Sequence, residues 1–102
     1  MSARSLLIKQ LPCIACELMN ARQMSPTEEH HLNLDGKAGQ KRRGAEFSIP
    51  LCAWHHRGIG HLSAMGAIYG PSLAKSSKMF RNAFGTDDEL LQATNERLKA
   101  VA

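Results

Sequence analysis

The spacing of cysteine and histidine constrains this chain more than any other feature. Cys13-Ile14-Ala15-Cys16, His30-His31 and Cys52-Ala53-Trp54-His55-His56, with His61 just behind, contain all three cysteines and all five histidines of the 102 residues. Cys13 and Cys16 form one half-site, and Cys52 and His55 form another at the same step of three. Together they supply the four ligands of a closed, tetrahedral structural zinc site. Buried cysteines also serve as small apolar residues, but two half-sites in so short a chain favour a metal. An odd cysteine count excludes a fully paired disulfide framework, and thiols kept as ligands point to a reducing compartment. The length suits one domain, residues 1–102. The composition is 43% hydrophobic but only 5% aromatic, with eight glycines, which implies a loop-rich fold whose modest core a metal would supplement.

Other uses of these motifs fit less well. A C₂H₂ finger needs two histidines three to five residues apart, whereas His30 and His31 are adjacent. A zinc deaminase places H-x-E ahead of P-C-x-x-C, and here Pro12-Cys13-Ile14-Ala15-Cys16 comes first. No βαβ pattern surrounds the cysteine pair, as a thioredoxin-like redox site would require.

Net charge is +4, unevenly spread. From Lys37 to Arg81 there are eight basic residues (Lys37, Lys41, Arg42, Arg43, Arg57, Lys75, Lys78 and Arg81) against Glu46 alone, a balance of +7 that leaves −3 for the rest. A basic stretch enclosing the third cluster predicts a polyanionic partner, DNA, bound through phosphates. No apolar run approaches the roughly 20 residues needed to span a bilayer, and Lys9-Gln10 interrupt the short apolar lead-in as no secretory leader would. The expectation is a cytoplasmic protein with no membrane and no small-molecule cofactor.

Local patterning predicts an α+β fold with additional C-terminal helices. Residues 1–12 read as an extended lead-in ended by Pro12, Cys13 to Cys16 as a knuckle, and Glu17 to Gln23 as weakly helical. Strands are expected at Glu28 to Leu34 and Ala45 to Leu51, with a turn at Asp35-Gly36. A helix is expected from Ala53 through His61, and another from a Ser72 cap to Phe84, with Leu73, Ser77, Phe80 and Phe84 on one face. Thr86-Asp87-Asp88-Glu89 is a capping box for a last helix with Leu90, Leu91, Leu98 and Val101 facing the core.

One zinc cannot use every histidine, so His30, His31, His56 and His61 are left for chemistry. On a strand, His30 and His31 point to opposite faces. One of them, with His56 and His61, would hold a second divalent ion with open positions. The other would serve as a general base, since a neutral imidazole takes a proton from water near neutral pH. Arg57 and the Lys41-Arg42-Arg43 run would hold the nucleic-acid strand.

A histidine pair on a strand, a loop, a second strand and then C-x-x-H-H opening a helix resembles the ββα-metal nucleases of the HNH group. The run Ile49-Pro50-Leu51-Cys52-Ala53-Trp54-His55-His56-Arg57-Gly58, with Gly70-Pro71-Ser72-Leu73, Ser77-Lys78-Met79-Phe80-Arg81 and Phe84-Gly85, is similar to the Ref family of phage recombination-enhancement proteins, which are RecA-dependent endonucleases. The likeness spans Cys13 to the C-terminal helix. It implies a small zinc-stabilised domain with a ββα-metal core that cuts DNA in recombination intermediates, with the RecA filament as partner, in a phage- or prophage-infected bacterial host. His31 then matches the general base, His30 a metal-side residue, His56 the helix ligand and His61 a further ligand to Mg²⁺, Mn²⁺ or a second zinc. Asn33, Asp35 and Glu46 are the candidates for the middle HNH position. Two readings compete with this: a non-catalytic zinc-stabilised nucleic-acid-binding module, and an adaptor that binds RecA alone.

Overall fold

A computed structural model describes residues 3–32 and 47–101. Eight elements follow one another: α1 (Ala3–Ile8), α2 (Ile14–Leu18), β1 (Glu28–His31), β2 (Ser48–Leu51), α3 (Ala53–Arg57), α4 (Met65–Tyr69), α5 (Ser77–Phe84) and α6 (Asp87–Val101). The fold is α+β. Strands β1 and β2 pair antiparallel, with Glu28 opposite Leu51 and His31 opposite Ser48. The sheet has two strands among the described residues. Every residue of β2 is buried, whereas every residue of β1 is half-buried. β1 is therefore the strand that can present side chains to a ligand.

The core is built around the ligand cysteines. Cys13, Ile14, Ala15, Cys16, Leu32, Ile49, Leu51, Cys52, Trp54, Met65, Tyr69, Phe80, Leu90 and Leu91 form one buried cluster. A second, smaller cluster joins Ile8 and Leu11 to Leu98 of α6. That contact explains why residues 3–8 are helical rather than extended. Three consecutive apolar residues, Leu6-Leu7-Ile8, have no period of their own, and burial of Ile8 against α6 selects the helix. Arg4 then reaches β2, donating from Nη2 to the Ser48 carbonyl at 2.8 Å, and α6, donating from Nη1 to Asn95 Oδ1 at 2.8 Å.

Several helix boundaries differ from the sequence expectations, each for a local reason. The helix expected over Glu17 to Gln23 lies instead at Ile14–Leu18 and stops before Asn20, whose φ is +54°. α3 ends at Arg57 rather than reaching His61. Gly58, at φ +71°, turns the chain, and its N–H closes on the Trp54 carbonyl at 2.8 Å. A Cβ at Gly58 would meet Lys75 Cε at 3.1 Å and Ser72 Oγ at 3.2 Å, so close approach reinforces the need for glycine there. Ser76, not Ser72, caps α5, accepting from the Met79 N–H at 3.2 Å, while Ser72 closes a turn by accepting from the Lys75 N–H. α4 had no sequence signal strong enough to predict it.

The capping box forms as expected. Thr86 N–H donates to Glu89 Oε1 at 2.8 Å and Glu89 N–H donates to Thr86 Oγ1 at 3.1 Å. Leu90, Leu91 and Leu98 are buried, but Val101 at the last turn is exposed. The Thr86 N–H holds the Glu89 carboxyl below its usual pKa. A carboxyl with a depressed folded pKa stabilises the fold above its unfolded pKa, and that contribution is lost as pH falls through the folded value. Glu89→Ala, which removes the carboxylate, should therefore lower stability at neutral pH. The gap in urea midpoint between variant and parent should narrow below about pH 4. A gap independent of pH would contradict the box.

Candidate metal centre and active face

Cys13 opens α2 as its N-cap, and its Sγ accepts from the Cys16 N–H at 3.4 Å. Helical geometry from Ile14 onward then turns both sulfurs to one side. Gln23 secures this knuckle: Cys13 N–H donates to Gln23 Oε1 at 2.7 Å, while Gln23 Nε2 donates to Thr27 Oγ1 at 2.8 Å. Cys52 stands at the N-cap position of α3, here without a side-chain capping bond, and His55 follows one turn later.

The four side chains meet in the core. Their ligand atoms all lie within 4.8 Å of one another. His55 Nδ1 is 3.4 Å from Cys13 Sγ, 3.5 Å from Cys16 Sγ and 3.3 Å from Cys52 Sγ, and Cys16 Sγ is 3.9 Å from Cys52 Sγ. Tetrahedral zinc bonds would place such atoms about 3.6 Å (N to S) and about 3.8 Å (S to S) apart. The three cysteines are free and buried, and His55 is wholly buried. His55 Nε2 lies 2.8 Å from the Tyr69 carbonyl oxygen. That oxygen can only accept, so Nε2 carries the hydrogen and Nδ1 is presented to the sulfurs, the usual outer support of a metal-bound imidazole. Phe84 and Phe80 enclose the ring, with centroids 5.2 and 6.2 Å away.

Proton sharing alone satisfies this cluster unevenly. Hydrogen bonds from Cys13 and then Cys52 push the Cys16 thiol up, while those from Cys13 and Cys16 pull Cys52 down. Burial disfavours charge on His55, yet its contacts with Cys13 and Cys52 outweigh that and raise its pKa to about 10. A divalent cation would be matched by three thiolates and a neutral imidazole at once. Cys13, Cys16, Cys52 and His55 therefore form a site that can hold zinc.

The second constellation lies on β1 and α3, and alternation divides it. Glu28 and His30 share one face of β1, and Glu29 and His31 share the other. On the first face the His30 and His56 rings approach edge-on, with centroids 5.0 Å apart. His56 Nδ1 is 2.9 Å from Glu28 Oε1, and Arg57 donates to both oxygens of Glu28, from Nε at 2.9 Å and Nη2 at 2.6 Å. The Arg57 fork holds the Glu28 carboxyl below the usual carboxylate range. A carboxylate on Nδ1 leaves His56 Nε2 as the ligand atom. The sequence reading missed Glu28, although its i, i+2 relation to His30 on a strand was a usable signal.

On the second face, His31 Nε2 is 3.7 Å from Glu29 Oε2. That oxygen accepts from Ser48 Oγ at 2.7 Å and Ser5 Oγ at 3.0 Å. Burial raises the Glu29 pKa, but the Ser48 and Ser5 hydrogen bonds outweigh it and leave the carboxyl below its ordinary value. His61 lies past the end of α3, exposed, and lines a small cavity with Met24, Trp54, Ile59 and Met65.

Of the expected DNA contacts, Lys37, Lys41, Arg42 and Arg43 lie outside the described residues, as do Asn33, Asp35 and Glu46. Arg57 is paired with Glu28, Arg81 donates from Nε to Asp87 Oδ1 at 3.1 Å, and Lys75 Nζ lies 5.4 Å over the Trp54 ring. Lys78 is exposed on α5. No helix is long and apolar enough to cross a membrane among the described residues.

A family model described as "Recombination enhancement, RecA-dependent nuclease" matches residues 2–99. No curated protein and no solved structure matches the chain.

Proposed function

Since this chain belongs to the recombination-enhancement, RecA-dependent nuclease family, we propose that it is a metal-dependent DNA endonuclease of the HNH type. Its ββα unit would be β1, β2 and α3, and it would act on recombination intermediates with a RecA filament as partner. The observation that carries this reading is the approach of His30 to His56 beneath a carboxylate, Glu28, that orients His56. Two half-buried imidazoles suit a divalent ion that keeps open positions for water and phosphate. His30 and His56 would hold Mg²⁺ or Mn²⁺, which when bound supplies charge stabilisation to the scissile phosphate and its leaving oxygen. Zinc on Cys13, Cys16, Cys52 and His55 would be structural.

The chain's own residues carry the proton chemistry. His31, at the end of β1, takes a proton from water as its oxygen attacks phosphorus. The bond from phosphorus to the leaving oxygen breaks, and that oxygen takes a proton from solvent. Within the described residues β1 pairs only with β2, so its other edge, where both faces of the strand meet, is where the phosphodiester would lie. The Arg57 fork holds Glu28, and Glu28 holds His56.

The decisive experiment is plasmid nicking with Mg²⁺ or Mn²⁺, with and without RecA, ATP and a homologous oligonucleotide. Cleavage dependent on the divalent ion is the expected result. DNA binding with no cleavage under any of these conditions would leave a zinc-stabilised binding module instead. Binding itself should weaken steeply with salt, because phosphate contacts release counterions. Replacing Lys41, Arg42 and Arg43 should reduce the salt slope by about 1 per residue without altering sequence preference. Affinity indifferent to ionic strength would count against the basic stretch as the contact.

A further inference from the structure

We infer that Glu29 is a positioning residue for His31: a hydrogen-bonded relay that runs back to α6 holds its carboxylate at ion-pair distance from Nε2, where its charge biases the tautomer and aim of the imidazole. The inference rests on the reading of His31 as the general base. Four elements converge on a single carboxylate oxygen or its supports. Asn95 of α6 accepts from Arg4 Nη1 at 2.8 Å. Arg4 of α1 holds Ser48 of β2 twice, donating from Nη2 to its carbonyl at 2.8 Å and from Nε to its Oγ at 3.4 Å. Ser48 Oγ and Ser5 Oγ both donate to Glu29 Oε2, at 2.7 and 3.0 Å. The same oxygen lies 3.7 Å from His31 Nε2, an ion-pair contact longer than a hydrogen bond.

This arrangement is more than the fold requires. Ser48 and Ser5 are buried hydroxyls, and the Glu29 side chain is only 9% exposed. Burying a carboxylate is costly unless it is hydrogen-bonded, and an apolar residue would satisfy the same interior more simply. Two hydroxyls on one oxygen hold it in place, and its charge beside Nε2 favours the tautomer with hydrogen on that atom. The lone pair is then on Nδ1, directed away from Glu29, where it can take a proton from water. A base whose lone pair is already aimed loses less on reaching the transition state.

The test uses the full chain under RecA-supported cleavage conditions. Glu29→Gln keeps the size of the side chain and an acceptor for the serines but removes the charge. It should lower kcat about 10–100-fold, the usual effect of losing an outer partner of a functional histidine, with KM for DNA and zinc content unchanged. In a His31→Ala background the same change should have no further effect, because it acts only through the imidazole. Long-range ¹H–¹⁵N spectra should show His31 mainly as the Nε2–H tautomer in the parent and as a mixture in Glu29→Gln. Should Glu29→Gln fold poorly, Ser5→Ala should move both kcat and the tautomer ratio in the same direction, more weakly. Parental kcat in Glu29→Gln, an undiminished loss on top of His31→Ala, or an unchanged tautomer ratio would each overturn the inference. If His31→Ala itself cuts at the parental rate, the base assignment falls and takes this inference with it. If His31→Ala is inactive and Glu29→Gln is not, only the role of Glu29 is lost.

Discussion

His31→Ala should reduce DNA cleavage by about 10²–10⁴-fold, the range that general-base catalysis supplies, while zinc content, fold and DNA affinity stay at parental values. His31 is half-buried at the end of β1, so truncation there leaves the main core cluster intact. His56→Ala should be as severe for another reason. It removes one of the two imidazoles that would hold the catalytic ion, and excess Mn²⁺ should partly restore cutting because a weakened site fills at higher metal concentration. The same excess should do nothing for His31→Ala, which lacks a proton acceptor and not a ligand. Single-turnover cleavage under RecA-supported conditions separates the two. A His31→Ala protein that cuts as fast as the parent removes the nuclease reading of the histidine pair and leaves the zinc-stabilised binding module in its place.

Chelation of zinc at neutral pH should unfold the protein. Apparent binding free energies of structural zinc, about 10–16 kcal/mol, equal or exceed the whole stability of an ordinary domain, about 5–15 kcal/mol. Here the ligands are the centre of the main core cluster, so the two quantities cannot be separated. Cys13 and Cys16 join α2 to it, and Cys52 and His55 join α3. Loss of the ion would leave three thiolates in a dry interior that must take up protons or remain as uncompensated buried charge. Trp54, between Cys52 and His55 and 8% exposed, gives a fluorescence reading of the transition. Cys16→Ser should behave as the chelated parent does. Purified protein that contains no zinc by elemental analysis yet melts cooperatively would refute the assignment.

How much of this was legible before folding depends on the distance over which each feature is decided. The Cys₃His set was readable because each half-site is local: a step of three at the start of a helix aims both side chains to one side whatever the rest of the chain does. The Thr86–Glu89 box was readable for the same reason, since both of its hydrogen bonds close within one turn. Even the failure to carry α3 to His61 was local, because Gly58 follows Arg57 directly and glycine readily supplies the positive φ that ends a helix. The strand reading of the histidine pair also placed His30 and His31 on opposite faces, as the observed pairings do.

Tertiary structure alone decided what those faces meet. Glu28 reaches His56 across 28 residues, and Glu29 is fixed by Ser5 and Ser48, 24 and 19 residues away. The helical state of residues 3–8 depends on Leu98 in the last helix, and no window of sequence contains both. Arg57 and Arg81, read from the charge distribution as DNA contacts, are paired with Glu28 and Asp87, because a formal charge says nothing of where its counter-charge folds. The sequence thus determined which atoms can bind a metal and roughly where the helices start. The packing of α1, β1, β2 and α3 determined which carboxylate reaches His56 and what holds the carboxylate beside His31, since those contacts are made by side chains far apart in the chain and brought together only when the core closes.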